Sequence, residues 1–333
     1  MVKNHSIKPQ YNLALEEHLC FRAMRDGSRF FMLWRNEPSI IVGRFQNTLE
    51  EIDAAFVEER GIHVVRRNSG GGAVYHDLGN VNYSFVAPDD FALFTGPIIH
   101  ALAAMGVEVE LSGRNDITVA GKKVSGGAQY RRGGVTLHHG TLLYDSDLDV
   151  LSRVLRPSEE KFQSKAVKSV RGRVGNIKPF LPRPLSVSEF QSRLQSAVEG
   201  LTPFALDSEA LQEVRGIEEE KYSTWDWNYG ASPRFTERKK TRFPWGGVEA
   251  FLVVNEGRII ECSFRGDYFG NGDYAPLLSR LVGRTYERES VAQALEGVDV
   301  HEMFAGASST DLAVLLSPNV YSGLRNYEHQ NGV

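Results

Sequence analysis

The chain has 333 residues, of which 41% are apolar and 24% are charged, and its formal net charge is −4. This length predicts two domains, the composition excludes a disordered or fibrous chain, and the charge argues against a dedicated nucleic-acid binder. The two cysteines, Cys20 and Cys262, are too few for a disulfide framework and favour a reducing, cytoplasmic setting. The sequence has no apolar run long enough to predict a membrane span.

Apolar spacing predicts alternating helices and strands in the first part of the chain. From Tyr11, apolar residues recur at helical spacing, whereas Val81, Tyr83 and Phe85 alternate with polar residues as in a half-buried strand. The predicted elements are a helix from 11 to 23, strands at 30–34 and 39–42, a helix at 54–59, strands at 62–66 and 81–85, and a helix at 98–105.

The remaining elements complete the first domain and then form a second, smaller one. They are a hairpin at 116–125 turning at Ala120-Gly121, a strand at 135–144, a helix from 148, a helix opened by the capping-box pattern Ser186 to Glu189, strands at 251–254 and 258–264, and two or three short terminal helices. Since the character of the sequence changes beyond Lys221, we place the domain boundary near residue 240, giving domains 1–240 and 241–333.

A glycine cluster follows the strand at 62–66. Gly70, Gly71 and Gly72 directly after a strand allow a sharp turn that brings backbone N–H groups close to an anion. Arg66 and Arg67 would add charge-assisted hydrogen bonds to the same anion. The pattern favours an anion-binding loop over a glycine-rich turn with two exposed arginines, and it matches neither a Walker A loop nor a G-x-G-x-x-G fingerprint.

Two residue pairs on strands raise the question of which member faces a site. Lys122 and Lys123 point to opposite sides of a strand, so at most one of them serves a site and either could be a solvated lysine. His138 and His139 also face opposite sides and cannot both bind one metal easily. With no supporting spacing of other ligands, we expect no dedicated metal site.

Residues 161–176 are basic, rich in glycine and serine, and without apolar periodicity. We interpret them as a long surface loop. Lys165 and Arg171 could belong to a solvated face, or the loop could fold over an anionic ligand.

Several motifs, in fixed order along nearly the whole chain, resemble the lipoate–protein ligase A family of the biotin/lipoate protein ligase superfamily. They are Trp34-Arg35-Asn36, Gly43-Arg44-x-Gln46-Asn47, the run from Arg66 to Asn80 with its three glycines and His76-Asp77, Arg114-Asn115-Asp116, Gly121 to Gly126, His138 to Leu143, Lys165 to Arg173, and Phe243 to Glu249.

The resemblance implies an α/β (α+β) fold, with a large domain in which helices flank a mixed sheet and a small α+β C-terminal accessory domain. It also implies a two-step reaction. Lipoate and ATP give lipoyl-AMP and pyrophosphate, and the lipoyl group then passes to a lysine of a carrier domain. Two anions meet in the first step, so cations and backbone N–H groups must neutralise both.

The resemblance further implies specific site residues. Those implied for ATP are Arg67, Gly72, Ala73, Val74, Tyr75, Asp116, Lys123, Lys165 and Arg171, and those implied for lipoate are Arg67, Ser69, Gly71, Gly72, Lys123 and His139. Lys123 is the implied catalytic residue. We expect Mg²⁺ to enter with ATP and to be held by few protein groups, of which Asp116 is the first candidate.

The implied partners are apo lipoyl carriers, namely the E2 subunits of 2-oxoacid dehydrogenases and the glycine cleavage H protein. We expect a cytoplasmic monomer that meets its carrier through local basic patches such as Lys239, Lys240 and the loop at 161–176, without nucleic acid or membrane. The alternatives are a lipoyl or octanoyl transferase on the same scaffold and a non-catalytic ligand-binding homologue. A biotin ligase is disfavoured because its Gly-Arg-Gly-Arg-x-Gly motif is absent.

Overall fold

The structure is a computed structural model, and it describes residues 1–88, 95–112, 116–155, 173–198, 200, 202–229, 236–255 and 257–317. The chain divides into two compact units, Met1–Ala231 and Ser232–Val333. The boundary predicted near residue 240 lies inside the strand Glu237–Phe243 of the second unit. Lys165 and Arg171 lie outside the described residues.

Helices and short helical turns of the first unit surround its strands. The helices are α1 (Pro9–Asp26), α2 (Thr48–Glu51), α3 (Ala54–Glu59), α4 (Gly96–Ala104), α5 (Leu148–Val154), α6 (Val187–Ser196), α7 (Ser208–Ile217) and α8 (Trp225–Asn228). A 3₁₀ turn covers Lys178–Phe180, and a π-helical turn, Glu218–Tyr222, continues α7.

Nine strands in the described residues of the first unit form two sheets. The strands are β1 (Phe30–Trp34), β2 (Ser39–Val42), β3 (His63–Arg66), β4 (Val74–His76), β5 (Asn80–Pro88), β6 (Glu110–Ser112), β7 (Asp116–Val119), β8 (Lys122–Arg132) and β9 (Val135–Leu143). The large sheet has the order β1-β5-β9-β8-β7-β6 and is antiparallel throughout. In the small sheet, β2 pairs with β3 in parallel and with β4 antiparallel.

Local sequence explains where two of these elements begin and end. Helix α1 starts with Pro9 in its first turn and stops at Gly27, whose φ of 71° suits a residue without a Cβ. The β7–β8 hairpin turns at Ala120 and Gly121, with φ of 49° and 72°. Two residues with positive φ are typical of the two-residue turn that matches strand twist.

Two apolar cores lie on opposite faces of the large sheet. Side chains of α1 pack against one face, and side chains of α4 and α6 pack against the other. The α1 face includes Leu13, Leu15, Leu19, Met32, Trp34, Tyr130 and Leu137. A third core joins the small sheet to α3 and α5 and includes Ile40, Val64, Phe56, Tyr75 and Leu151.

The second unit is a three-stranded antiparallel sheet with helices after it. Its strands are β10 (Glu237–Phe243), β11 (Gly246–Asn255) and β12 (Arg258–Gly266), in that order across the sheet. Its helices are α9 (Ala275–Leu281), α10 (Arg288–Leu295), α11 (Val300–Met303) and α12 (Ser309–Leu316).

The predicted fold class is confirmed: a large unit with helices flanking sheets and a small α+β unit. The parallel pairing that makes the architecture mixed lies in the small sheet, while the large sheet is antiparallel. None of the helices in the described ranges has the length and apolar character needed to cross a membrane.

Candidate functional site

The glycine-rich loop connects β3 to β4, and hydrogen bonds from the Arg67 side chain fix its conformation. The Arg67 guanidinium is buried and donates to Ser69 Oγ at 2.9 Å, to the Gly70 carbonyl at 2.6 Å and to the Gly72 carbonyl at 2.9 Å. A further bond to the Ile41 carbonyl, at 3.0 Å, ties the loop to β2. Burial lowers the pKa of Arg67 to about 10, so the side chain stays charged at neutral pH.

Arg66 fastens a second loop beside the first. Its Nη1 donates to the carbonyls of Gly43, Arg44 and Gln46 at 2.7–2.9 Å, and its Nε donates to the Trp227 carbonyl at 2.9 Å. A side chain at Gly43 would overlap the carbonyl oxygen of Gly71, so the two loops touch backbone to backbone. Both arginines were predicted to bind an external anion, whereas in the structure the bonds named here go to the protein's own loops.

A chain of polar side chains crosses the α1 face of the large sheet and ends at the loop. His139 Nδ1 lies 3.0 Å from both carboxylate oxygens of Glu16, and its Nε2 lies 2.6 Å from Ser69 Oγ. The Trp34 indole donates to Ser84 Oγ at 2.7 Å, and Ser84 donates to Glu16 at 2.5 Å. All five side chains are buried. The predicted lipoate residues Ser69 and His139 are therefore in direct contact.

Glu17, the residue after Glu16 on α1, is linked to Asn68, the residue before Ser69 in the loop, through Lys221 and Tyr222. Glu17 accepts from Lys221 Nζ at 2.8 and 2.9 Å and from the Tyr222 hydroxyl at 2.9 Å. Lys221 also donates to Asn68 Oδ1 at 2.8 Å, and Asn68 Nδ2 donates to the Tyr222 hydroxyl at 2.8 Å. Two adjacent carboxylates of α1 therefore position the loop: Glu16 through His139 and Ser69, and Glu17 through Lys221 and Asn68.

Lys123, on β8, places a cation on the same face of the large sheet. Lys123 Nζ lies 2.8 Å from Asp116 Oδ1. A register shift between Ile117 and Thr118 marks a β-bulge in the β7–β8 pair. A Cβ added to Gly126 would lie 3.0 and 3.1 Å from Cε and Nζ of Lys123, so the lysine lies across this glycine.

Strand alternation does separate the two lysines. Thr118 pairs with Lys123 and Asp116 pairs with Gly126, which puts Lys123 on the face of the large sheet that carries Asp116. Lys122 is exposed, and its aliphatic chain lies against Gly175. Of the two lysines, Lys123 is the one that the structure brings to the candidate site.

The register aligns two rows of residues across this face, between the lysine and Trp34. Gly126 pairs with Thr141, Thr141 with Asn82, and Asn82 with Trp34. In the next row, Ala128 pairs with His139 and His139 with Ser84. A ligand that lies along this row, across three strands, would have a cation at one end and an indole ring at the other.

His76, at the end of β4, lies beside this indole ring, with ring centroids 6.0 Å apart. Its Nδ1 lies 3.1 Å from Asn36 Nδ2 and 3.4 Å from Asn82 Nδ2. Burial, with smaller effects from the charge of Arg67 and from His139, lowers the pKa of His76 to about 3, so the ring is neutral at physiological pH.

Not all of the predicted ATP residues face the α1 side of the sheet. Val74 packs against the core on that side, whereas the side chains of Tyr75 and Ala73 belong to the third core. Tyr75 is buried there, which leaves the backbone of this segment as the part that could meet a nucleotide. Lys239 and Lys240 were predicted to form an exposed carrier patch, but Lys239 is buried and Lys240 pairs with Glu249 at 3.0 Å.

Sequence reasoning missed Glu16, Glu17 and Lys221. The signal was present for the two glutamates: they lie between Leu15 and Leu19 on the helix face that buries those leucines, where an unpaired carboxylate would be costly. Across the described residues, no cluster of three or more His, Cys, Asp or Glu side chains could hold a metal ion.

Comparison with known families gives two matches that together span most of the chain. Residues 8–199 match the model of the lipoyl protein ligase A/B catalytic domain. Residues 232–316 match the model of the bacterial lipoate protein ligase C-terminus.

Individual proteins are also similar over most of their length. The lipoate-protein ligase LplJ of Bacillus subtilis is 42% identical over 328 residues, which cover 95% of this chain and 99% of that protein. The crystal structure of P. falciparum LipL1 in complex with lipoate has a TM-score of 0.76 and 26% identity, and it covers 90% of this chain and 94% of its own.

Two further solved structures resemble a shorter part of the chain. A bi-partite lipoate protein ligase with its E2 lipoyl domain from Thermoplasma acidophilum has a TM-score of 0.62 and 29% identity, over 71% of this chain and 98% of its own. A lipoate-protein ligase A bound with ATP has a TM-score of 0.59 and 29% identity, over 67% of this chain and 94% of its own.

Proposed function

This chain belongs to the lipoate–protein ligase family, and we propose that it activates lipoate with ATP and joins the lipoyl group to a lysine of a carrier protein. The family resemblance drawn from the sequence motifs is confirmed by these matches. The names of the similar proteins support the substrates, because one relative's structure holds lipoate and another holds ATP.

In the first step a lipoate carboxylate oxygen attacks the α-phosphorus of ATP, a P–O bond forms, and pyrophosphate leaves. Both reactants are anionic, so a fixed cation beside them lowers the barrier most. We assign this cation to Lys123, which Asp116 holds at 2.8 Å above Gly126. That held lysine, on the sheet face that also carries His139, is the observation on which the proposal rests.

In the second step the amine of the carrier lysine attacks the acyl carbon, AMP leaves, and the amine loses a proton. We propose Gly71, Gly72 and Ser69 for the lipoate side of the site, with the backbone of Gly72 to Tyr75 for the nucleotide. Arg67 supports both indirectly, because it fixes the loop carbonyls from within. The same cation at Lys123 can stabilise the oxygen charge that develops when the mixed anhydride is attacked.

Mg²⁺ would offset the charge of the triphosphate and of the leaving pyrophosphate. We propose that it arrives with ATP and that Asp116 is its nearest protein ligand, since one carboxylate plus phosphate oxygens is an ordinary Mg²⁺ environment. Lys165 and Arg171 stay proposals from the family motif, as they lie outside the described residues.

The proposed carriers are lipoyl domains of 2-oxoacid dehydrogenase E2 subunits and the glycine cleavage H protein. The archaeal relative that was solved with its E2 lipoyl domain supports this class of partner. We further propose that the chain acts as a cytoplasmic monomer, with both of its cysteines as free thiols.

An acyl transferase that uses a cysteine nucleophile is the main alternative on this scaffold. Cys20 and Cys262 are both buried, and burial raises the pKa of Cys262 to about 12 and that of Cys20 further. A thiol that stays protonated is a poor nucleophile, which favours the ligase.

The deciding experiment mixes the protein with lipoate, ATP and Mg²⁺ and measures pyrophosphate release, then adds an apo lipoyl domain and follows its mass. We expect pyrophosphate release that depends on lipoate, followed by lipoylation of the carrier. A non-catalytic homologue would release no pyrophosphate, and a transferase would modify the carrier only from a preformed lipoyl donor.

A further inference from the structure

Two chains of asparagine side chains converge on His76. In the first, Asn4 Nδ2 donates to Asn12 Oδ1 and Asn12 Nδ2 donates to Asn36 Oδ1, each at 2.8 Å, and Asn36 Nδ2 faces the histidine. In the second, Asn80 Nδ2 donates to Asn82 Oδ1 at 2.8 Å, and Asn82 Nδ2 faces the histidine.

This arrangement sets the tautomer of the ring. The amide oxygens of Asn36 and Asn82 already accept a hydrogen bond from another asparagine. The group that each of them presents to His76 is therefore its amide nitrogen, which is a donor. Nδ1 must therefore be the unprotonated acceptor, and the proton of the neutral ring lies on Nε2.

The Nε2–H group is buried, and within the described part of the chain it has no hydrogen-bond partner. His76 itself is 3% exposed. An orphaned buried donor is costly unless something else accepts its hydrogen bond, and the two amide chains fix the direction in which this donor points.

The register says which part of a ligand would reach this group. Asn82, which contacts His76, lies two strands from Gly126 and Lys123, a separation of roughly 10 Å at ordinary strand spacing. If the carboxylate of lipoate lies at Lys123, the chain crosses Gly126 and Thr141, and its far end comes to His76 and the Trp34 ring. The far end of lipoate is the dithiolane ring.

We propose that His76 Nε2–H donates a hydrogen bond to a dithiolane sulfur and thereby favours lipoate over octanoate, whose chain ends in carbons alone. The inference rests on the proposed function, and it assigns the discrimination between these two acids to one side chain. A disulfide sulfur, like a thioether sulfur, is a weak acceptor, so the gain is modest. With octanoate the Nε2–H donor stays unpaired, which costs binding free energy. A site built to hydrogen-bond a polar group rejects an analogue without that group for the same reason.

The test compares the dissociation constants of lipoate and octanoate for the full chain, by calorimetry without ATP. In His76→Phe, which keeps the ring shape without a donor, we expect the preference for lipoate to fall by about threefold to tenfold. His76→Gln keeps an N–H donor and should retain part of the preference. His138→Phe is the matched control, because His138 is equally buried but stacks on Tyr83 on the other side of the sheet.

An unchanged preference for lipoate in His76→Phe would overturn the inference, because the Nε2–H donor would then make no difference between the two acids. If lipoate does not bind the wild-type protein at all, the proposed function and this inference fall together. If lipoate binds and the preference is unchanged, only the inference falls.

Nitrogen NMR of the wild-type protein supplies a second measurement that does not depend on variants folding. We expect the His76 ring to have the proton on Nε2 without ligand, to shift on addition of lipoate, and to shift less with octanoate. A ring protonated on Nδ1 in the free protein would contradict the proposal.

Discussion

Lys123 Nζ lies 2.8 Å from Asp116 Oδ1, and both side chains share the sheet face on which Gly126 leaves space for them. The pair is about two-fifths exposed, so an incoming anion can reach the ammonium. A lysine that is already held before the ligand arrives needs little reorganisation during the reaction.

The first prediction separates the two neighbouring lysines. Lys123→Ala should reduce pyrophosphate release by about 10²–10³, because it removes a positioned cation where charge shifts during adenylate formation. Lys122→Ala should cost less than about tenfold, since Lys122 is exposed. If Lys122→Ala were the inactive variant, the assignment of Lys123 would be wrong. Circular dichroism of both variants controls for folding.

The second prediction concerns Gly126. A methyl group there would meet Cε and Nζ of Lys123 at about 3.0 Å, so Gly126→Ala should push the ammonium away from its place. We expect adenylate formation to fall by at least about tenfold with little change in melting temperature, because the obstructing atoms end a flexible side chain. Gly216→Ala is the control, since nothing lies within 4 Å of its added Cβ. Full activity of Gly126→Ala would mean that the lysine position is not critical.

The third prediction concerns magnesium. Calorimetric titration of Mg²⁺ into the ATP-free protein should give no tight binding, and Asp116→Asn should raise the Mg²⁺ concentration needed for half-maximal adenylation. Asp145→Asn is a matched control, because Asp145 forms a similar exposed pair with Lys178, at 2.6 Å. Tight Mg²⁺ binding without nucleotide would contradict the view that the ion arrives with ATP.

These three tests rest on residues that the sequence identified in part. Strand alternation predicted that only one of Lys122 and Lys123 can face a site, and the resemblance to the family motif selected Lys123. It could not predict Arg66 and Arg67 as internal donors. A cation beside a glycine loop has the same sequence pattern whether it faces a ligand or the carbonyls of its own loop.

Long-range contacts limited the prediction elsewhere. Glu17 and Lys221 are 204 residues apart in sequence, and only the packing of α1 against the π-helical turn brings them together. Lys240 likewise looked free in the sequence, but the β10–β11 register places it opposite Glu249. Short-range patterns contain no information on such pairings, whereas several of the elements, including the helix with the capping box at Ser186, followed from local spacing.

The fourth prediction is a loss of stability in mild acid. Burial lowers the pKa of His76 to about 3 and that of His138 to about 4, against about 6.5 in the unfolded chain. Between these values the unfolded state binds protons that the native state does not, so the free energy of unfolding falls as the pH drops below about 6.5. At pH 5 each histidine should cost about 2 kcal/mol relative to neutral pH.

Urea unfolding at pH 7 and pH 5 measures this effect. His138→Phe should lose about 2 kcal/mol less than the wild type over the same interval, because it removes one of the two groups. His301→Phe is the control, since this histidine is exposed. An equal loss in the wild type and in His138→Phe would contradict a neutral, buried His138.

The fifth prediction concerns the hydrogen bonds of Lys221 to Glu17 and to Asn68 of the glycine-rich loop. Lys221→Met should destabilise the protein by about 3 kcal/mol, because the carboxylate of Glu17 stays buried without its cation. It should also raise KM for lipoate more than KM for ATP, since Lys221 holds Asn68 next to Ser69. Lys178→Met is the matched control: Lys178 pairs with Asp145 at 2.6 Å, but both side chains are exposed, so its loss should leave the free energy of unfolding nearly unchanged.

A double-mutant cycle shows whether Lys221 acts through Glu17. Glu17→Gln alone leaves the ammonium facing an amide that can offer it one oxygen, and Lys221→Met alone leaves the carboxylate facing a thioether. In the double variant neither charge is buried without its partner, so its loss of stability should be smaller than the sum of the two single losses by at least about 1 kcal/mol. Strict additivity would mean that the two side chains stabilise the loop independently. In that case the rise in KM for lipoate would have to come from Lys221 and Asn68 alone, and Asn68→Ala should reproduce it in full.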